Sequence, residues 1–112
     1  GQGYADVPVL YGADQLAAWK KVPDAVHADG VKIVVQLWHV GRISDRMFLG
    51  GALPVAPSAI AAMGTVPVVR PKQPFVTPRA LDLAEIPGIV EAFRRGAENA
   101  ERAGFDGVEL HG

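Results

Sequence analysis

Apolar residues recur at Leu16, Trp19, Val22 or Pro23, and Val26, spacings of three and four that put them on one face of a helix over 12–29. Gly12 is placed to cap that helix, with Asp14 and Gln15 in the first turn near the positive end of its dipole, and Gly30 suits the residue just past its end. Pro23 is the local conflict. Proline in a helix interior loses a hydrogen bond and clashes with the preceding turn, at about 3 kcal/mol, so a kink is expected in a helix held by its buried face. Residues 31–38, Val-Lys-Ile-Val-Val-Gln-Leu-Trp, form a nearly continuous β-branched run. That pattern predicts a strand buried on both faces, as in a parallel sheet covered by helices. A second helix is predicted over 82–103, capped by Asp82 with Glu85 three residues on and Pro87 in the first turn. Its apolar face is Ile86, Ile89, Val90, Phe93, Ala97 and Ala100, and Glu91–Arg95 and Glu98–Arg102 are (i, i+4) pairs on the wet face. Gly104 ends it, and Phe105 to His111 reads as a second strand, occupying 106–111.

Between the two helix–strand pairs lies residues 39–80, punctuated by Gly41, Gly50, Gly51 and Gly64 and by six prolines from Pro54 to Pro78. Short strands at 66–69 and 74–77, paired as a hairpin, are the only regular structure its pattern suggests. Loops of this length in compact domains are usually functional. The order helix, strand, long loop, helix, strand predicts an α/β fold with a parallel sheet. A (β/α)8 barrel takes about 250 residues, or roughly 31 per unit. On that scale the chain is a partial TIM barrel of about two and a half βα units with one long loop at 39–80.

Composition narrows the function. The 112 residues carry 11 Lys+Arg against 12 Asp+Glu, a net charge of −1, and are 49% apolar. That balance disfavours disorder and a basic nucleic-acid surface. With no cysteine, neither a disulfide scaffold nor a thiolate metal site is available. No apolar run approaches the ~20 residues of a membrane helix, and the N-terminus lacks the features of a secretory signal. A cytoplasmic protein is expected. A start at Gly1 and an end on His111-Gly112 suggest a piece of a longer chain.

Parallel α/β folds bind ligands at the carboxyl ends of their strands. Two places qualify: Gln36-Leu37-Trp38-His39 and His111. A glutamine in an apolar strand needs a partner, because an unpaired buried amide costs about 1–3 kcal/mol. Either a neighbouring strand or a ligand satisfies it, and an amide suits a heterocycle edge with alternating donors and acceptors. Trp38 is either core or the wall of a pocket. His39 and His111 are either structural or functional, and His27 reads as a surface residue. Arg42 either pins the loop or pairs with a carboxylate such as Asp45. Glu109 shares a strand face with His111 and, pointing into a barrel, would need a cationic partner. Gly1-Gln2-Gly3 lacks the strand a phosphate fingerprint requires, and Ser44 and Ser58 lack the setting of a nucleophile elbow.

Several longer motifs occur in order along the chain: Gly1-Gln2-Gly3-Tyr4, Trp19-Lys20-Lys21, Gln36-Leu37-Trp38-His39-Val40-Gly41-Arg42, Pro54-Val55-Ala56-Pro57-Ser58-Ala59-Ile60, Pro78-Arg79-Ala80-Leu81, Glu85-Ile86-Pro87-Gly88-Ile89-Val90, and Ala103-Gly104-Phe105-Asp106-Gly107-Val108-Glu109-Leu110-His111. Together they resemble the old yellow enzyme family of FMN-dependent ene-reductases. The likeness runs essentially the whole length; the family includes the bacterial N-ethylmaleimide and nitrate-ester reductases and the plant oxophytodienoate reductases, and the resemblance is strongest to the bacterial branch. It implies that residues 1–112 are an internal fragment of an FMN-binding (β/α)8 barrel roughly three times as long. It also implies NADPH or NADH as reductant and small electrophilic alkenes as substrates, with no nucleic acid or membrane partner and no metal. By position, Gln36 matches the family's flavin-bonding glutamine and His111 the first polar residue that binds the substrate's activating oxygen. Trp38, Tyr4 and Val40 match pocket-lining positions. The chain departs from the family at Pro23 and in a short loop at 44–52. It also lacks the second polar residue of the substrate-binding pair, the tyrosine proton donor and the strands that hold the FMN phosphate. Two other readings stand beside this one: a metal-dependent barrel hydrolase using His39 and His111, short of the third ligand a zinc site needs, and a non-catalytic fragment.

Overall fold

A computed structural model describes residues 2–112, so Gly1 of the first motif lies outside the described residues. The chain divides into two compact units. One joins the described residues up to Val7 with His39–Ile86, and the other joins Pro8–Trp38 with Pro87–Gly112.

The second unit holds helix α1 (Ala13–Ala28), strand β1 (Val34–Trp38), most of helix α2 (Ile86–Ala103) and a later strand over Gly107–His111. Gly12 caps α1, and the Gln15 side chain accepts the backbone N–H groups of Tyr11 and Gly12 at 2.7 and 3.0 Å. Gly30 takes a left-handed φ of 73°, as expected just past a helix end. The helix is continuous through Pro23. That ring is buried and fills the apolar stripe beside Gly104, whereas Val22 points to solvent. The core gathers Leu10, Ala100, Ala103 and Phe105, with Leu16, Trp19, Ile33 and Val35 packed on it. The Trp19 and Phe105 rings meet edge to face, 5.7 Å between centroids. Side chains also tie the segment before α1 to the helices: the Trp19 indole donates to the Val9 carbonyl at 3.1 Å and the Asn99 amide to the Leu10 carbonyl at 3.0 Å.

Several sequence expectations need correction. The first strand is Val34–Trp38 rather than 31–38, and it is covered on one face only. Val35 packs on the core and Leu37 touches Gly96 of α2, while Val34 is 60% exposed and Gln36 is exposed. The apolar face of α2 is also narrower than predicted, because Ile86 and Val90 are exposed. Its ion pairs run from Arg94, to Glu91 and to Glu98, instead of Glu91–Arg95 and Glu98–Arg102. Glu109 makes no ion pair among the described residues.

The first unit is mostly irregular. Its regular parts are a short parallel pair, β2 (Val55–Ala56) and β3 (Arg79–Ala80), and two turns of 3₁₀ helix at Arg46–Phe48 and Leu83–Glu85. The hairpin expected at 66–69 and 74–77 shrinks to one antiparallel bridge, Thr65 with Pro74. Prolines at 67, 71 and 74 remove the N–H groups a longer ladder would need. Asp82 begins the 3₁₀ turn that leads into α2, and the Glu85 carboxylate accepts its backbone N–H at 2.9 Å. Glu85 also takes a two-pronged ion pair from Arg79, at 2.7 and 2.8 Å. That hydrogen bonding lowers the Glu85 carboxyl to about 2.

Candidate functional site

The strand over Gly107–His111, β4, pairs in parallel with β1: Gln36 lies opposite Glu109, and Trp38 opposite His111. Side chains alternate along a strand, so Gln36, Trp38, Glu109 and His111 share one face of the pair, opposite the face that Val35 turns to the core. Glycine starts β4 where a Cβ would already touch Val34, 3.4 Å away. The opposite ends of the same strands are fixed by Asp106. Its carboxylate accepts the Ile33 N–H at 2.9 Å and meets the His27 Nε2 at 2.7 Å, while its own N–H donates to the Ile33 carbonyl. His27 is thus a clamp residue, and its hydrogen bond holds the Asp106 carboxyl below the ordinary carboxylate range.

At the carboxyl ends, the Trp38 and His111 rings stack, with centroids 5.1 Å apart and planes 19° from parallel. Gln36 is exposed, and its amide makes no hydrogen bond among the described residues. The neighbouring strand therefore does not satisfy it. Gln36 and His111 are brought onto one face with Trp38 between them and the helix-covered side behind.

Tyr4 and Val40 belong to the other unit. Val40 is buried, and the 2–4 segment packs against it: a Cβ at Gly3 would sit 3.0 Å from a Val40 methyl and 2.6 Å from the Ile43 carbonyl. Only glycine allows that approach. The Ser44 hydroxyl donates to the Gln2 carbonyl at 2.5 Å, and the Asp45 carboxylate accepts the Met47 N–H at 3.0 Å. Arg42 pins the loop rather than pairing with Asp45. Its guanidinium donates to the Ile60 carbonyl at 2.6 Å and the Ser58 hydroxyl at 3.1 Å. Ser58 accepts this loop-pinning bond, a role that its place in the sequence does not signal. His39 Nδ1 accepts the Gly41 N–H at 3.2 Å, and burial lowers the His39 pKa and favours its neutral form. No group of three or more His, Asp or Glu side chains placed to hold a metal occurs among the described residues, so the hydrolase reading has no support.

Fold and site together define an α/β chain with Gln36, Trp38 and His111 on one face at the carboxyl ends of adjacent parallel strands. Residues 1–112 match the profile of the NADH:flavin oxidoreductase / NADH oxidase family, and the chain belongs to that family. It is 44% identical over 115 residues to 12-oxophytodienoate reductase 2 of Arabidopsis thaliana, covering 99% of this chain and 30% of that protein. Its identity to a chanoclavine-I aldehyde reductase of Penicillium roqueforti is 46% over 112 residues, covering 97% of this chain and 28% of that one. Among solved structures, morphinone reductase in complex with tetrahydroNAD superposes with a TM-score of 0.89 at 48% identity, over 98% of this chain and 32% of that one. An old yellow enzyme homologue from Zymomonas mobilis gives 0.91 at 40% identity, over 99% and 31%. The likeness thus extends to relatives from a plant, a fungus and Zymomonas mobilis. The chain spans about 30% of the length of the 12-oxophytodienoate reductase.

Proposed function

We propose that residues 1–112 form part of an FMN-dependent NAD(P)H:alkene reductase, an FMN-binding (β/α)8 barrel of which this chain supplies about two and a half βα units. The observation that carries the reading is the register of β1 and β4, which sets an unpartnered amide and a stacked imidazole on one face at the strands' carboxyl ends. Family membership supports FMN, and the relative solved with tetrahydroNAD supports a nicotinamide reductant, NADPH or NADH. The donor set fits the cofactor, because the Gln36 amide both donates and accepts and is free to pair with a flavin's heterocyclic edge. When bound, FMN supplies the hydride chemistry.

The chain's own residues supply position and electrostatics. Gln36 would hold the cofactor edge. His111 donates a hydrogen bond to the oxygen that activates the alkene, in an enone or a maleimide. Negative charge grows on that oxygen as hydride adds at the β-carbon, so a fixed donor stabilises the transition state more than the ground state. Trp38 lines the substrate side of the same face. We place the enzyme in the cytoplasm; no helix among the described residues is long and apolar enough to cross a membrane.

The test uses the whole protein that carries this chain. Purified, it should be yellow with bound FMN and reduce 2-cyclohexenone at the expense of NADPH or NADH. His111→Ala should weaken binding of a phenol, whose oxygen mimics the activated one, and keep the flavin. A colourless protein that takes up no added FMN would refute the reading.

A further inference from the structure

We propose that Trp38 is a positioning residue for His111: its indole fixes the plane of the imidazole and so the direction in which His111 donates. The inference rests on the reading above and goes beyond the pocket-lining role that the family likeness gives Trp38. Trp38 and His111 are register partners on adjacent parallel strands, so their Cα atoms sit about 4.8 Å apart, the usual spacing between strands. Their rings stack at 5.1 Å and 19°. Offset stacking of this kind is a favoured geometry for aromatic pairs.

Among the described residues, the Trp38 ring is the side-chain partner that holds the His111 ring. His111 is exposed, and no hydrogen bond to either ring nitrogen holds it among the described residues. An imidazole held only by its own two torsions would swing, and its N–H would sweep a cone. Stacking removes the rotation about the Cβ–Cγ bond and leaves both nitrogens at the ring's edge, in a plane parallel to the indole. The donor is then held in one plane, on the strand face that carries Gln36. A charged imidazolium keeps the same contact, since a cation over an indole face is attracted to it.

Three variants separate this role from a simple wall: Trp38→Phe keeps a ring to stack on, while Trp38→Leu and Trp38→Ile keep apolar bulk without one. In the whole protein, with histidine ring carbons labelled, the His111 ring protons should show cross-relaxation to Trp38 protons and ring-current shielding. Trp38→Leu and Trp38→Ile should remove the shielding, and Trp38→Phe should retain part of it. With 2-cyclohexenone and the prereduced enzyme, the aliphatic variants should slow hydride transfer by about tenfold to a hundredfold, the scale expected for a misaligned donor. The Kd of the alkene should change far less, and Trp38→Phe should recover most of the rate. Weaker alkene binding at an unchanged hydride-transfer rate would overturn the proposal while leaving the alkene-reductase reading intact. So would His111 resonances that do not move in Trp38→Leu. Absence of flavin from the wild-type protein shows first in its absorbance spectrum; it overturns the functional reading and the donor role together.

Discussion

Phe105→Ala tests whether the core of the Pro8–Trp38 and Pro87–Gly112 unit is what presents the β4 histidine. Phe105 is 8% exposed, packs with Leu10, Ala100 and Ala103, and meets the Trp19 ring edge to face. A phenylalanine buries on the order of 150–250 Å², and truncation to alanine removes about 100 Å² of that, or about 2.5 kcal/mol at roughly 25 cal/mol per Å². Loss of the aromatic pair adds about 0.5–1.5 kcal/mol, which brings the total to about 3–4 kcal/mol, inside the range seen for such truncations. Against a typical domain stability of about 5–15 kcal/mol, that is a large share. Urea unfolding of the whole protein, followed by far-ultraviolet circular dichroism, should show a lower midpoint with an unchanged denaturant slope. Because β4 begins two residues after Phe105, the variant should also hold FMN less tightly. A loss below about 1 kcal/mol would refute the reasoning, since it would mean that Trp19 and Ala103 collapse into the space without cost.

Other changes probe the loops and the surface. Gly3→Ala puts a Cβ 2.6 Å from the Ile43 carbonyl, a backbone atom that cannot swing aside. It should displace the Val40 turn and lower the melting temperature, read from thermal melts, and an unchanged melting temperature would contradict the close packing at Gly3. Gly104 has room for a methyl group but a φ of 94°. Gly104→Ala should therefore destabilise by about 1–2 kcal/mol through backbone strain alone, read from thermal melts. Glu85 is held at about 2 by Arg79 and by the Asp82 N–H, below its unfolded value. A depressed carboxyl stabilises the fold above its unfolded pKa and loses that contribution as pH falls. Melting temperatures taken from pH 5 down to 2.5 should thus fall more steeply in the wild type than in Glu85→Gln, and parallel curves would contradict the pairing.

What was legible in the sequence follows from the range of the forces involved. Both helices were, because their signals are local: a stripe at three- and four-residue spacing, Gly12 and Gly30 at the ends of α1, and Asp82, Glu85 and Pro87 at the start of α2. The family motifs also marked Gln36, Trp38 and His111, and the pairing of β1 with β4 puts all of them on one face. The strand limits were not legible. Val31 and Lys32 continue the β-branched run but have no partner strand, so regular pairing begins only at Val34. β2 and β3 are two residues each, too short for any period to register, and they pair across more than twenty intervening residues. Arg94 illustrates a finer limit. Spacing alone allowed Arg95 to serve Glu91, but one guanidinium placed between Glu91 and Glu98 serves both. The site divides along the same line. Sequence names residue types and puts Gln36 in an apolar run, from which burial and a need for internal partners follow. The register instead sets that amide on the face opposite the core, with no hydrogen-bond partner among the described residues, while the rings beyond it stack. That arrangement arises from pairing between strands about seventy residues apart, which no local pattern encodes.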